Sequence, residues 1–75
     1  MKSDDKILKE IGYRVKKLRI KAGYTSHESF AISHDLSRMQ YWRIEKGIAN
    51  ITIKSLLRIL EIHKLTLSDF FSDNF

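Results

Sequence analysis

Three times along this chain a serine or threonine stands three residues ahead of a glutamate, glutamine or aspartate: Thr25 with Glu28, Ser37 with Gln40, and Thr66 with Asp69. At that spacing the hydroxyl accepts from the backbone amide of the third helical position while the longer side chain reaches back, so each pair marks a helix start. The starts lie close together, and the chain has no proline and only three glycines to break it otherwise. Short helices joined by tight turns are what such punctuation allows.

Apolar spacing fills the intervals. Ile7, Ile11, Val15, Leu18 and Ala22 recur at steps of three and four, which predicts an amphipathic helix over roughly 4–22, stopped by Gly23. "TSHESFAIS" predicts a second short helix, capped by Thr25 or by Ser26, with Phe30 and Ala31 turned inward. A third runs from the Ser37 cap to Gly47. Thr52 caps a fourth, whose stripe reads Ile53, Leu56, Leu57 and Leu60. Thr66 opens a last turn of helix carrying Leu67, Phe70 and Phe71. No stretch alternates with the period of a strand. The expected fold is all-α, a bundle of about five short helices forming a single domain over residues 1–75.

Size and composition narrow the function. A chain of 75 residues buries only about 60% of the surface it exposes when unfolded, too little to build a deep catalytic cleft. There is no cysteine, which excludes disulfides and thiolate metal sites. His27 and His34 are seven apart and His63 is remote, with no metal-binding spacing and no glycine-rich phosphate loop. The expectation is therefore no enzyme, no cofactor and no metal. No apolar run is long enough to span a membrane, and "MKSDDK" lacks the apolar heart of a signal peptide, so a soluble cytoplasmic protein is expected. The net charge of +5 is unevenly placed: residues 1–24 hold eight Lys/Arg against three Asp/Glu, and the remainder balances. A basic face on a small domain suits a polyanion.

The third helix divides sharply. At about 100° per residue, Ser37, Tyr41, Ile44 and Glu45 share the inward side, while Met39, Arg43, Lys46 and, on the flank, Trp42 face out. Arg38 projects from the first turn. Only about three residues join this helix to the second, so the two form a bent pair over 26–46, a helix-turn-helix, with helix 37–46 as the element that enters the major groove. Arginine can donate twice to guanine, and an apolar side chain can pack on a thymine methyl. Arg38, Met39 and Arg43 are the expected base contacts. Ser37, Gln40, Trp42 and Lys46 are expected along the DNA backbone. Gln40 can instead be taken by its capping box, and Trp42 can instead cover a neighbouring helix or meet a second copy. Asn50, in the loop after Gly47, either donates to a phosphate or holds the loop through an Asx-turn.

From Ile11 to Phe71 the chain resembles the phage-repressor-like helix-turn-helix domains of the Cro and xenobiotic-response-element group. The residues that carry the resemblance are Arg19 near the end of the first helix, Ala31 in the second, Leu36-Ser37 opening the third, Ile44-Glu45-Lys46-Gly47 closing it, Asn50, and Leu57 to Leu60 before the tail "LTLSDFF". It departs from the pattern where Gly23 to Ala31 is one residue longer, where Asp35 stands in place of the usual turn glycine, and where His34, Tyr41 and Trp42 replace smaller residues. The resemblance implies a lambda-repressor-like fold and a sequence-specific, repressor-like transcriptional regulator of double-stranded DNA. It makes His27 the nearest counterpart of a phosphate-contacting glutamine. It sets Arg19 against Glu45 as a shielded ion pair, and it implies pairing of two copies. The aromatic C-terminus, Phe70, Phe71 and Phe75, is the expected contact, unless Phe70 and Phe71 simply close the core. The other reading is an antitoxin-like or other protein-interaction module on the same scaffold, using Trp42 and those phenylalanines.

Overall fold

The computed structural model describes the backbone of residues 2–72 and the side chains of residues 4–72. Five helices follow in order: α1 (Lys2–Lys21), α2 (His27–Ser33), α3 (Arg38–Lys46), α4 (Ile53–Ile62) and α5 (Leu67–Phe70). The described residues contain no strand, and the all-α expectation holds.

One device separates all five. Gly23, Asp35, Gly47 and Lys64 each take a left-handed conformation, with φ of 95°, 57°, 73° and 58°. At each of them two amides fold back on the preceding helix. After α2, for example, Asp35 N–H donates to Ile32 O at 3.3 Å and Leu36 N–H to Ala31 O at 2.8 Å. This Schellman arrangement satisfies carbonyls that a helix end would otherwise leave open. A hydroxyl then caps the next helix: Ser26, Ser37, Thr52 and Thr66 each accept from the amide three residues on. Of the two candidate caps for α2 the structure selects Ser26. Thr66 and Asp69 make both halves of a capping box, whereas Ser37 accepts from Gln40 N at 3.3 Å and the Gln40 side chain stays exposed.

The core is built from all five helices: Ile11 and Val15, Phe30 and Ala31, Tyr41 and Ile44, Leu56, Ile59 and Leu60, and Phe70. Expected inward positions are corrected in three of the helices. Ile7 is 57% exposed, because it continues the α1 stripe a turn beyond the buried part of the helix; Ala22 is also exposed, and Arg19 takes the buried place near that end. In α4, Ile53 and Leu57 are 63% and 45% exposed, and Ile59 is buried instead. In α5, Phe70 is fully enclosed while Leu67 and Phe71 remain partly in water.

Two glycines bring α1 and α3 together. A Cβ on Gly12 would stand 2.5 Å from Ile44 O and 2.6 Å from Glu45 O, so here the α1 backbone lies directly on α3. A Cβ on Gly47 would stand 2.6 Å from the Lys9 Cα. Gly47 also needs its positive φ, which a side chain would oppose. The angle of α3 on α1 is thus set by backbone contact rather than by adjustable side chains.

Candidate nucleic-acid interface

What α3 turns outward is decided by what it turns inward. Tyr41 is 1% and Ile44 5% exposed, and Glu45 is drawn beneath the helix by Arg19. The guanidinium grips the carboxylate at both oxygens, Nε to Oε2 at 2.7 Å and Nη2 to Oε1 at 3.1 Å. Its Nη1 donates to Tyr24 O at 3.0 Å, tying in the loop before α2. Both side chains are nearly closed to solvent, at 7% and 6%. Hydrogen bonding to Glu45 holds the Arg19 pKa above its already high ordinary value, so the guanidinium keeps its charge. Burial, helped by the Glu45 carboxylate, pushes the Tyr41 phenol well above its usual range, so it stays neutral.

On the other side Arg38, Met39 and Arg43 are exposed, Met39 at 66%. Gln40, Lys46 and Ser37 lie in solvent beside them, and Trp42 is half-buried on the flank. The outward half of α3 carries two arginines and a lysine and no free carboxylate, since the helix's one acid is held by Arg19. Such a surface attracts phosphate and can donate to base edges. Asn50 is exposed in the following loop, and His27 is half-buried at the first position of α2.

Residues that sequence reasoning passed over hold this face in place. Gly12 is one, and its signal was an isolated glycine inside a helical pattern, which needs a packing reason. Arg58 is another: its Nη2 donates to Asp35 O at 3.2 Å, bracing the left-handed turn between α2 and α3 from α4. Arg14 donates from Nη1 to Phe70 O and, at 3.1 Å, to Ser72 O, fixing the end of α5 to α1. Behind α2, Phe30 stacks on Tyr41 and on His63, with centroids 5.0 and 5.2 Å away. Tyr24 Oη lies 3.3 Å from His34 Nε2 at the edge of the same cluster. No local pattern announces these long-range contacts. Among the described residues no group of three or more His, Cys, Asp or Glu could hold a metal ion.

No protein-family model matches the chain, and no solved structure matches it. A curated protein does: the control protein C.MunI of a Mycoplasma species is 42% identical over 62 residues, which cover 83% of this chain and 84% of that protein. The chain belongs to the phage-repressor-like, Cro/XRE-type helix-turn-helix family. As a member of that family it is a DNA-binding transcriptional regulator. In this chain α2 and α3 are joined by the turn at Asp35, α3 runs from the Ser37 cap to Gly47, and Glu45 is paired with Arg19. Among the described residues no helix is long and apolar enough to cross a membrane.

Proposed function

We propose that this chain is a cytoplasmic control protein, and not an enzyme, that binds one class of operator through the major groove and acts as a repressor-like switch on it. Arg38, Met39 and Arg43 read base edges; Ser37, Gln40, Trp42 and Lys46, with His27 and Asn50 at the margins, lie along the phosphates. The observation that carries this reading is the division of α3. Its only carboxylate is buried with Arg19, so every charge on the exposed half is positive and that half is held at a fixed angle. Rigid presentation matters because a bidentate contact tolerates little angular error. The 42% identity to a protein named a control protein supports the same reading.

Two copies are proposed to share one operator, with half-sites about 34–36 Å apart between centres. The expected contact changes in one respect. Phe70 is fully enclosed in the core and cannot also meet a partner, while Phe75 lies outside the described residues. Phe71, with the exposed Ile53, Leu57 and Leu67 of the same half of the chain, is left to supply it. The interaction-module reading loses Phe70 for the same reason and keeps Trp42 and Phe71.

Selection of bound duplexes from a random DNA pool, read by sequencing, tests the proposal. Recovery of a recurring motif with two related halves is expected. A pool that stays random after repeated rounds would remove sequence-specific readout, and a motif with one half would remove pairing.

A further inference from the structure

An open groove of about 800 Å³ runs between the C-terminal half of α1 and the α5 region. Leu18, Ile20 and Leu65 give it an apolar lining, Lys17 and Lys21 stand on the α1 side, and Asp69 on the α5 side. That volume is within the range of sites that hold ligands. None of these residues comes from α2 or α3.

Pairing with carboxylates does not explain the two lysines. Like charges four residues apart on a helix repel. The ion pairs among the described residues are Arg14 with Glu10 and Arg19 with Glu45, so neither lysine meets a carboxylate. Lys17 is instead carried over the Tyr13 ring, 5.5 Å from its centroid, and Ile20 stands beside both lysines at 55% exposure. DNA at α3 does not explain them either. Gly12 marks the side of α1 that touches α3, and Lys17 and Lys21 project about 140–180° around the axis from it. Much of the charge excess of the first third therefore points away from the recognition helix.

Asp69 does not neutralise the groove. Its carboxylate accepts from Thr66 N at 3.0 Å, and that bond together with the Thr66 hydroxyl holds its pKa below the usual carboxylate value. It is a permanent negative charge opposite two positive ones, which gives the groove a direction. We propose that the groove docks a short segment of another protein in which carboxylates alternate with apolar side chains, the carboxylates on the Lys17 and Lys21 side. The α3 face stays open to DNA while the segment is bound.

The test titrates synthetic peptides onto the isotope-labelled full chain and follows backbone amide shifts. One peptide alternates Asp with Leu, a second replaces each Asp by Lys, and a third replaces each Leu by Ser. The Asp–Leu peptide is expected to saturate shifts at residues 17–21 and 65–72 and to bind roughly tenfold or more tightly than the other two. A Lys17→Glu, Lys21→Glu double variant, which alters only exposed side chains, is expected to exchange that preference for the Lys–Leu peptide. Absence of saturation by any peptide would overturn the proposal. So would equal binding of the Asp–Ser peptide, which would mean undirected attraction of anions, or shifts centred on residues 37–46. Displacement of the Asp–Leu peptide from residues 17–21 by a short mixed-sequence duplex would assign the lysines to DNA instead.

Discussion

Gly12 of α1 and Ile44 of α3 meet backbone to backbone: a methyl group on Gly12 would lie 2.5 Å from the Ile44 carbonyl oxygen. Helix propensity alone says that Gly12→Ala should stabilise the protein by about 1 kcal/mol. Overpacking at a rigid contact says it should destabilise by about 1–3 kcal/mol, and α3 must tilt to relieve it. The second effect is expected to win. Thermal unfolding should show a melting temperature lowered by about 4–8 °C for each kcal/mol, with operator affinity reduced although Gly12 touches no DNA. A melting temperature that rises would show that α3 is free to move.

The Arg19–Glu45 pair gives a second expectation. Glu45→Gln strands a buried guanidinium, at a cost of about 3–5 kcal/mol out of a total near 4–11 kcal/mol for a chain of this length. Urea unfolding of the variant should shift to much lower concentration. Replacing both partners, Arg19→Met with Glu45→Leu, removes the stranded charge and should restore much of the loss. A double variant no more stable than the single one would contradict the account.

Readout is tested at Arg43. Arg43→Ala should weaken operator binding by about 1–3 kcal/mol and relax preference at one base position. Lys46→Ala should weaken all sequences alike and reduce the salt dependence of binding. Unchanged affinity and motif in the Arg43 variant would remove α3 as the reader.

Acid should loosen the aromatic cluster behind α2. The Nε2 of His63 is buried with no hydrogen-bond partner among the described residues, and burial first, then the nearby His34, lower the His63 pKa below its usual value. The folded protein therefore binds this proton less readily than the unfolded chain. Stability is complete above the unfolded value of about 6.5 and falls as pH drops from there towards the lowered folded value. Melting temperatures taken between neutral pH and mild acid should decline for the wild type. The decline should be shallower for His63→Phe, which keeps the stack on Phe30; identical slopes would acquit His63.

Lys64 holds a left-handed conformation with φ of 58° and an exposed side chain. A β-carbon there costs about 1–2 kcal/mol, and glycine gives back part of that in chain entropy. Lys64→Gly should raise stability by about 0.5–1 kcal/mol, and Lys64→Val should lower it. The order Gly, Lys, Val in melting temperature is the check.

Much of this molecule is legible in its sequence because capping is local chemistry. Ser37, Thr52 and Thr66 announce their helices through hydroxyls whose partners are three residues away. The outward face of α3 is legible because that helix is apolar on one side and cationic on the other. The same method misreads α4, where Ile53, Leu56, Leu57, Ile59, Leu60 and Ile62 put apolar groups around most of the circumference. Periodicity cannot choose between two equally regular stripes; packing against the other helices chooses Leu56, Ile59 and Leu60. Arg14, Arg58 and His63 act through partners 23 to 58 residues distant or through stacking across the core, which no window of sequence contains.

The shortness of α3 limits how much it can know. Nine residues make a rod about 13–14 Å long, which lies alongside roughly four base pairs of duplex. Four base pairs, even read without error, recur by chance on the order of once in every few hundred, against the roughly million or more competing sites that a genome offers. The Ser37 cap and the Schellman turn at Gly47 stop the rod at its two ends. An address of useful rarity must therefore be written twice, and the proposed pairing of two copies supplies the missing information rather than merely the missing affinity.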